Sequence, residues 1–428
     1  MRLNLEDNCH FINGGSWTSS EYSEEGYPVL KVSNFDKDSI SFSELNFLQE
    51  SSFEKFQKNQ LGLHDIVIAT VGSHPSLVNS AAGRCITIPK DAVGLLLNQN
   101  AVCLKTKNPE LINQRYLGYL CKSQLFQHFI QQRGKGAANQ MRIPISGIKS
   151  FTYDFPQIET QFKIASFLSA YDDLIEKNLK RIKLLEEEAQ ITYEEWFSIK
   201  GKSNDWYDCS IGELIQFHIG GGWGEALQAD NFVNPAFVIR GTDMDKLPLG
   251  SIDKVPFRWH KESNLKSRKL KHGDIVFEVS GGSSYEGVAK TLLITDELLN
   301  QFDGDVMCAS FCKLIRPKSS EYSFAIILFL KYLRKTKATE IFEKRSASNI
   351  VNYNWEAFLK FQNIKMPNET LLQEFNGKVK PLIAGMYNLG NQITKLKEAR
   401  SILLPRLMTE MIDVNQLNLE TLKSNNTL

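Results

Sequence analysis

Two stretches of the chain carry apolar residues at helical spacing for longer than an ordinary core helix needs. After Pro156 the positions are Ile164, Phe167, Tyr171, Leu174, Asn178, Ile182, Leu185, Ala189, Thr192 and Trp196, three or four apart with charges between them. A three-four stripe sustained this long predicts a helix of coiled-coil length, with Asn178 breaking the apolar seam to fix register. The pattern returns at Leu372, Phe375, Val379, Leu382, Met386, Leu389, Ile393 and Leu396, has Arg400 as its exception, and resumes at Leu403 and Leu407. Pro381 and Gly385 fall inside this second stripe, so a kink is expected near residue 380. A helix of about 40 residues is about 60 Å long. With their seams facing, two such helices would form an antiparallel rod with a globular domain at either end.

Ahead of each stripe the period changes. DIVIATV from Asp65 and DIVFEVS from Asp274 are β-rich runs ending at a glycine, which predicts a buried strand entering a tight turn. RYLGYLCKSQLFQHFI from Arg115 and SFAIILFLKYLRKT from Ser323 have helical spacing and predict helices packed on the sheet. Each half therefore opens with a mixed α/β domain of roughly 150 residues.

The halves repeat one another. VLKVSNFD from Val29 returns as VIRGTDMD from Val238, LGLHDIVIATVG from Leu61 as LKHGDIVFEVSG from Leu270, and Cys103 as Cys312, each 209 residues on. Later the offset drifts as small loop insertions would make it. Asn139 meets Asn349 at 210, while Pro156 meets Pro367 and Leu185 meets Leu396 at 211. The predicted organisation is a first domain over 1–155, a helix over 156–198, a second domain over 199–366, a helix over 367–410 and a tail over 411–428. Duplication alone does not separate an enzyme with two half-sites from a binder with two sites. Two similar units related by an approximate two-fold do suit a ligand that is itself nearly two-fold, such as duplex DNA.

Composition changes this picture little. The chain has 428 residues, 42% of them hydrophobic, with 50 Lys and Arg against 49 Asp and Glu, so any basic surface is local. Seven scattered cysteines, of which Cys308 and Cys312 are separated by three residues with no matching pair, read as reduced buried thiols and make a zinc site an unfavoured reading. The longest apolar run, Phe324 to Leu330, is too short to span a bilayer and ends at Lys331, and no signal peptide is recognised; a soluble cytoplasmic protein is expected.

Catalytic signatures fail one by one. NPAF at Asn234–Phe237 invites comparison with the N-P-P-F/Y motif of amino-methyltransferases, but lacks the second proline, and its repeat partner is YPVL at Tyr27–Leu30, where the first copy enters a strand. GGSSYEGVAKT from Gly281 resembles a phosphate-binding loop, yet Gly287 is followed by Val288 instead of Lys. There is no HEXXH motif. A chain without catalysis of its own is the expectation.

Two segments are basic. Arg258 to His272 holds six Lys or Arg and one acid, with Trp259 among them; Gln132 to Lys149 holds four basic residues and no acid. Such segments suit phosphate contact, with Asn, Gln and Arg able to reach base edges. Solvated charge is the commoner reading of such runs, but the placement matches between copies: the segment of Ser348, Asn349 and Asn352 is the second copy's equivalent of Asn139 and Gln140. The candidate DNA contacts are Lys31, Ser33, Ser73, Arg133, Lys135, Asn139, Gln140 and Arg142 in the first copy. In the second they are Arg240, Thr242, Lys266, Arg268, Lys269, Ser283, Ser284, Ser348, Asn349 and Asn352.

FPQIETQFKIASFLSAYDDLIEKNLKRIKLLEEEAQITYEEWF, Phe155 to Phe197, resembles the central conserved region of the specificity subunits of Type I restriction–modification systems: a Pro, then a Gln, an Ile-Ala pair and a long helix ending in Trp-Phe. ITKLKEARSILLPRLM, Ile393 to Met408, is similar to that family's ending, and VIRGTDMD and HGDIVFEVSGG to the frame of its target recognition domains. The resemblance covers nearly the whole chain. It implies two tandem α+β target recognition domains joined by two long antiparallel coiled-coil helices in a pseudo-two-fold repeat, each domain reading half of a split DNA sequence and the helices acting as a ruler. It implies partners as well: double-stranded DNA, two modification subunits that methylate adenine, and restriction subunits that translocate and cleave. S-adenosylmethionine, ATP and Mg would then sit on those partners, and none on this chain. Phe167, Tyr171, Leu174, Asn178, Leu185, Trp196, Leu389, Ile393, Leu396 and Leu403 would form the spacer and docking helices. In the second copy MPNETLLQEF shifts the Gln to Gln373, and Pro381 interrupts the helix. The alternative is a coiled-coil scaffold carrying two protein-binding domains.

Overall fold

The computed structural model describes the chain except for residues 36–38, 43–44, 74–79, 138–139, 199–204, 282–287, 346–349 and 418–428. It divides into two compact units, Met1–Asp172 with Ala399–Leu428, and Asp173–Glu398.

The first unit is built on a four-stranded antiparallel sheet in the order Cys9–Asn13, Ala101–Thr106, Ile66–Ala69, Cys85–Thr87. The DIVIATV run supplies its inner strand Ile66–Ala69, buried on both faces, which is why it reads as continuous apolar sequence without alternation. Beside it, Tyr27–Leu30 runs parallel to Leu96–Leu97 and antiparallel to Asn46–Leu48. A small sheet joins Val71–Gly72, Gln140–Arg142 and Lys135–Ala137, and Arg2–Asn4 pairs with Thr152–Asp154.

The second unit repeats this frame, except that the short edge strand Tyr22–Ser23, which pairs with Asn46–Leu48, has no counterpart among its described strands. Its four-stranded sheet has the order Ile215–Gly220, Cys312–Pro317, Ile275–Glu278, Thr291–Leu293. Asn234–Ile239 runs parallel to Val306–Cys308 and antiparallel to Phe257–His260. The small sheet is Ser280–Gly281, Val351–Tyr353 and Glu343–Arg345, and Trp206–Ser210 pairs with Asn363–Pro367. NPAF is part of the strand Asn234–Ile239, as its repeat partner YPVL is part of Tyr27–Leu30.

One local device recurs before each inner strand. The Asp65 carboxylate accepts the Gly62 amide at 2.6 Å, and that of Asp274 accepts the Lys271 amide at 2.7 Å. The intervening turn needs a left-handed residue, which is His64 (φ 64°) in the first copy and Gly273 (φ 84°) in the second. Lys105 then neutralises Asp65 at 2.8 Å, and Arg316 holds Asp274 through two bonds of 2.8 and 2.7 Å.

The Arg115 stretch differs from expectation. It forms two helices, Gln114–Lys122 and Gln124–Gln131, because Ser123 donates to the Leu120 carbonyl and caps the next helix by accepting from the Phe126 amide. Its counterpart is one helix, Ser320–Lys335, capped by Ser319.

The two stripes form helices Ile158–Ser198, of 41 residues, and Glu369–Met408, of 40. Within the second unit they pack antiparallel: Asn178 meets Gln392, Leu185 lies against Gly385, and Tyr193 meets Phe375. Ile175, Ile182, Met386, Leu389 and Ile393 fill the seam. Within the first unit Asp172 pairs with Arg400, and Gln161, fully buried, ties the helix to the domain through the Asn113 amide and the Leu111 and Pro156 carbonyls. Ile175 and Tyr193 are buried while Leu174 and Thr192 are only half-buried, since a straight helix turns every 3.6 residues and drifts away from a strict heptad. The second helix is continuous past Pro381, whose ring lies on its exposed face.

All seven cysteines are buried thiols, and burial pushes Cys9 up to about 12. Among the described residues no helix is long and apolar enough to cross a membrane.

Candidate nucleic-acid interface

In the first unit the basic segment folds into the hairpin Lys135–Ala137 and Gln140–Arg142. Gly136 (φ 122°) is required there, because a Cβ would lie 2.3 Å from the Gln140 carbonyl oxygen. Met141 points inward and is buried, so alternation turns Gln140 and Arg142 outward. Lys135 stands directly opposite Arg142, both exposed. Among the described residues neither has an acid within ion-pair distance. Two like charges in register cost stability unless an anion lies between them.

Other first-copy candidates are tied down. Arg133 lies 3.4 Å from the Phe129 ring and donates to the Phe129 carbonyl at 2.9 Å. Lys31 donates to the Asn46 amide oxygen at 2.5 Å and sits over Tyr22. Ser33 is exposed in the short helix Val32–Asn34, and Ser73, half-buried, accepts the Ser80 hydroxyl at its carbonyl. Asn139 lies outside the described residues.

In the second unit Asn352 projects from the middle strand of the matching sheet, opposite Lys344 and Ser280, and accepts the Ser280 hydroxyl at 2.8 Å. Thr242 is exposed. Arg240 spends its fork on Asp243, at 2.8 Å twice, and on the Lys254 carbonyl; the Asp243 bonds raise its pKa. Arg268 donates to the Gly220 carbonyl at 2.9 Å, and Lys269 pairs with Asp305 at 2.5 Å, so both hold the domain together. Lys266 is exposed on the helix Glu262–Arg268. Ser283, Ser284, Ser348 and Asn349 lie outside the described residues.

What composition alone did not single out lies at the start of that segment. Arg258 is stacked 4.5 Å from the Trp223 ring, and Lys261 sits 5.2 Å from that of Phe232. Trp259 amid the positive charges was the available signal. Nearby, Glu278 is buried at the end of the inner strand, and burial raises its pKa.

Along the long helices, Phe167, Tyr171 and Trp196 are buried, as are Leu389 and Ile393; Asn178 bonds Gln392 at 3.2 Å; Leu174, Leu185, Leu396 and Leu403 are half-buried. These residues pack the helices. The apolar residues left outward include Leu184, Ile191 and Ile402.

Residues 2–187 match the family described as Type I restriction modification DNA specificity domain. Over 323 residues the chain is 25% identical to the Type I restriction enzyme MjaIX specificity subunit of Methanocaldococcus jannaschii, spanning 71% of this chain and 70% of that protein. It is also 25% identical over 181 residues to that organism's putative Type I restriction enzyme MjaX specificity subunit, a match covering 42% of this chain and only 41% of the relative. In fold it is similar to the crystal structure of the Type I restriction–modification S subunit from M. genitalium, with a TM-score of 0.52, 16% identity and 95% of each chain covered. The matched frame of the first half is built again, all but the edge strand Tyr22–Ser23, in the second. Residues 2–187 thus match a Type I restriction–modification DNA specificity domain, and over most of its length the chain is similar to Type I specificity subunits.

Proposed function

We propose that each recognition domain reads one half of a bipartite duplex DNA site, that the long helices set the distance between the halves and dock modification subunits, and that the chain performs no chemistry itself. The observation carrying this reading is that one frame is built twice, with an outward polar hairpin at the same place in each copy. The Lys135–Arg142 pair supports phosphate contact there, because a DNA backbone supplies the anion that relieves two opposed cations. S-adenosylmethionine, ATP and Mg would be held by the partner subunits. Ile191 and Ile402, 211 residues apart and so equivalent in the repeat, are each 51% exposed, which gives each copy the same anchor for the same partner. Two modification subunits, one for each copy, fit that duplication.

Replacing Lys135, Asn139, Gln140 and Arg142 together is expected to abolish recognition of one half-site and leave the other intact. Methylation mapping of the complex with its modification subunit checks this, and continued methylation of the same full site would place DNA elsewhere. Duplex affinity should fall steeply as salt rises, through counterion release. A scaffold that binds only proteins through its two domains would show no such dependence on duplex.

A further inference from the structure

The two copies differ most tellingly where their frames coincide. In the first copy Leu48 stands opposite Tyr27 on the neighbouring strand; in the second Arg258 stands opposite Ala236, the residue 209 positions after Tyr27. Leu48 and Arg258 therefore occupy one place in the fold. After the first strand of each large sheet come Gly14-Gly15-Ser16-Trp17 and Gly221-Gly222-Trp223. The extra Ser16 sets the two indoles one residue out of register, but each lies at that same place, Trp17 in one cluster with Leu48 and Trp223 beside Arg258. In the first copy Trp17 and Leu48 belong to one sealed apolar cluster with Phe56. In the second, Trp223 is 39% exposed and carries the Arg258 guanidinium on its ring.

Core packing does not account for this exchange, since it uncovers an indole and buries the Arg258 Nε without a hydrogen-bond partner. The loop is nonetheless built to hold it. Glu225 and Trp259 exchange both backbone hydrogen bonds, at 2.9 and 3.0 Å, and Gly224 (φ 68°) is needed because a Cβ would sit 2.5 Å from the Trp259 carbonyl oxygen. A guanidinium held over an aromatic ring, with its Nε buried, has its terminal nitrogens left as a two-donor fork.

We infer that Arg258, held by Trp223, is a specificity-determining residue of the second recognition domain and reads a guanine. Guanine offers two acceptors, O6 and N7, side by side in the major groove, which match that fork. The half-exposed Trp223 ring that backs the fork favours a base edge over a phosphate, because an apolar face beside it contributes nothing to a hydrated backbone oxygen. The inference rests on the proposal that this chain reads duplex DNA.

The decisive variant is Arg258→Leu in the full chain assembled with its modification subunit, because leucine is what the first copy carries at this place. Its thermal unfolding should match the parent or rise. Its methylated sequence should become degenerate at one base pair of one half-site, and discrimination at that pair should fall by about tenfold or more. Arg258→Lys should do the same, and Trp223→Ala should weaken the preference without removing it. An unchanged recognition sequence in Arg258→Leu overturns the assignment. So does uniform weakening toward cognate and scrambled duplexes with a shallower salt dependence, which marks a phosphate contact. A parent complex that fails to discriminate any duplex sinks the DNA reading as a whole; discrimination that survives intact in Arg258→Leu sinks only this assignment.

Discussion

His64 and Gly273 sit at one position of the repeated turn, and only the second copy has placed there the residue that the backbone asks for. A non-glycine residue in the left-handed region costs roughly 1–2 kcal/mol. His64→Gly is therefore expected to stabilise the first unit by about 1 kcal/mol, the loss of imidazole contacts and the added freedom of the unfolded chain taking back the rest. Gly273→Ala should destabilise the second unit by at least as much, since the new Cβ meets the Ser320 Cβ at 3.1 Å. Urea unfolding of both variants checks the pair, and equal effects of one sign would remove the strain argument. Asp274, next in the same turn, is almost fully buried and holds both the Lys271 amide and the Arg316 fork. Asp274→Ala leaves a guanidinium and an amide without their acceptor and should cost about 3 kcal/mol or more.

Between elements, one ionic tie lends itself to titration. Within the second unit Glu321, at the start of the helix Ser320–Lys335, accepts from Lys380 at 2.7 and 2.9 Å and from Asn376 at 2.8 Å on the second long helix. The Lys380 ammonium, ahead of Asn376, holds its carboxyl below the ordinary value. A carboxyl lowered by folding contributes stability above its unfolded value of about 4.3, and that contribution is lost as the pH falls through the folded one. Thermal midpoints measured between about pH 3 and 7 should show a shallower acid limb in Glu321→Gln than in the parent. The same midpoints at high salt should differ less, because the pair is partly exposed. How much of such elements was legible in the sequence follows from their physics. Both long helices were, because a stripe of ten or so apolar positions leaves little freedom of interpretation. The half-step from Leu174 to Ile175 was not, because seam drift depends on the partner helix. The break at Ser123 was invisible to periodicity, which weighs apolar spacing and ignores a hydroxyl that competes for the backbone. Basic clusters were legible as segments only: Arg240, Arg268 and Lys269 are absorbed by local acceptors, while Arg258 gains its place from Trp223, which lies 35 positions earlier.

For the whole molecule, the antiparallel packing turns the ruler idea into a matched requirement on both helices. Removing one heptad within Leu174–Leu185 alone would slide Asn178 and Ile182 past Gln392, Met386 and Leu389, burying polar atoms against apolar ones. Removing a heptad as well from the Met386–Leu396 stretch restores the seam. Seven residues of helix rise about 10.5 Å, and B-DNA rises about 3.4 Å per base pair, so the matched double deletion should shorten the recognised spacer by about three base pairs. Both half-sites should stay as they were, because the recognition frames and their hairpins lie outside the deleted turns. The single deletion should instead lower the thermal midpoint and lose methylation of any defined site. Methylation mapping of the parent, the single and the matched deletion decides the matter. Half-sites that change while the spacer holds would mean that the helices pass structure to the reading surfaces and do not measure distance.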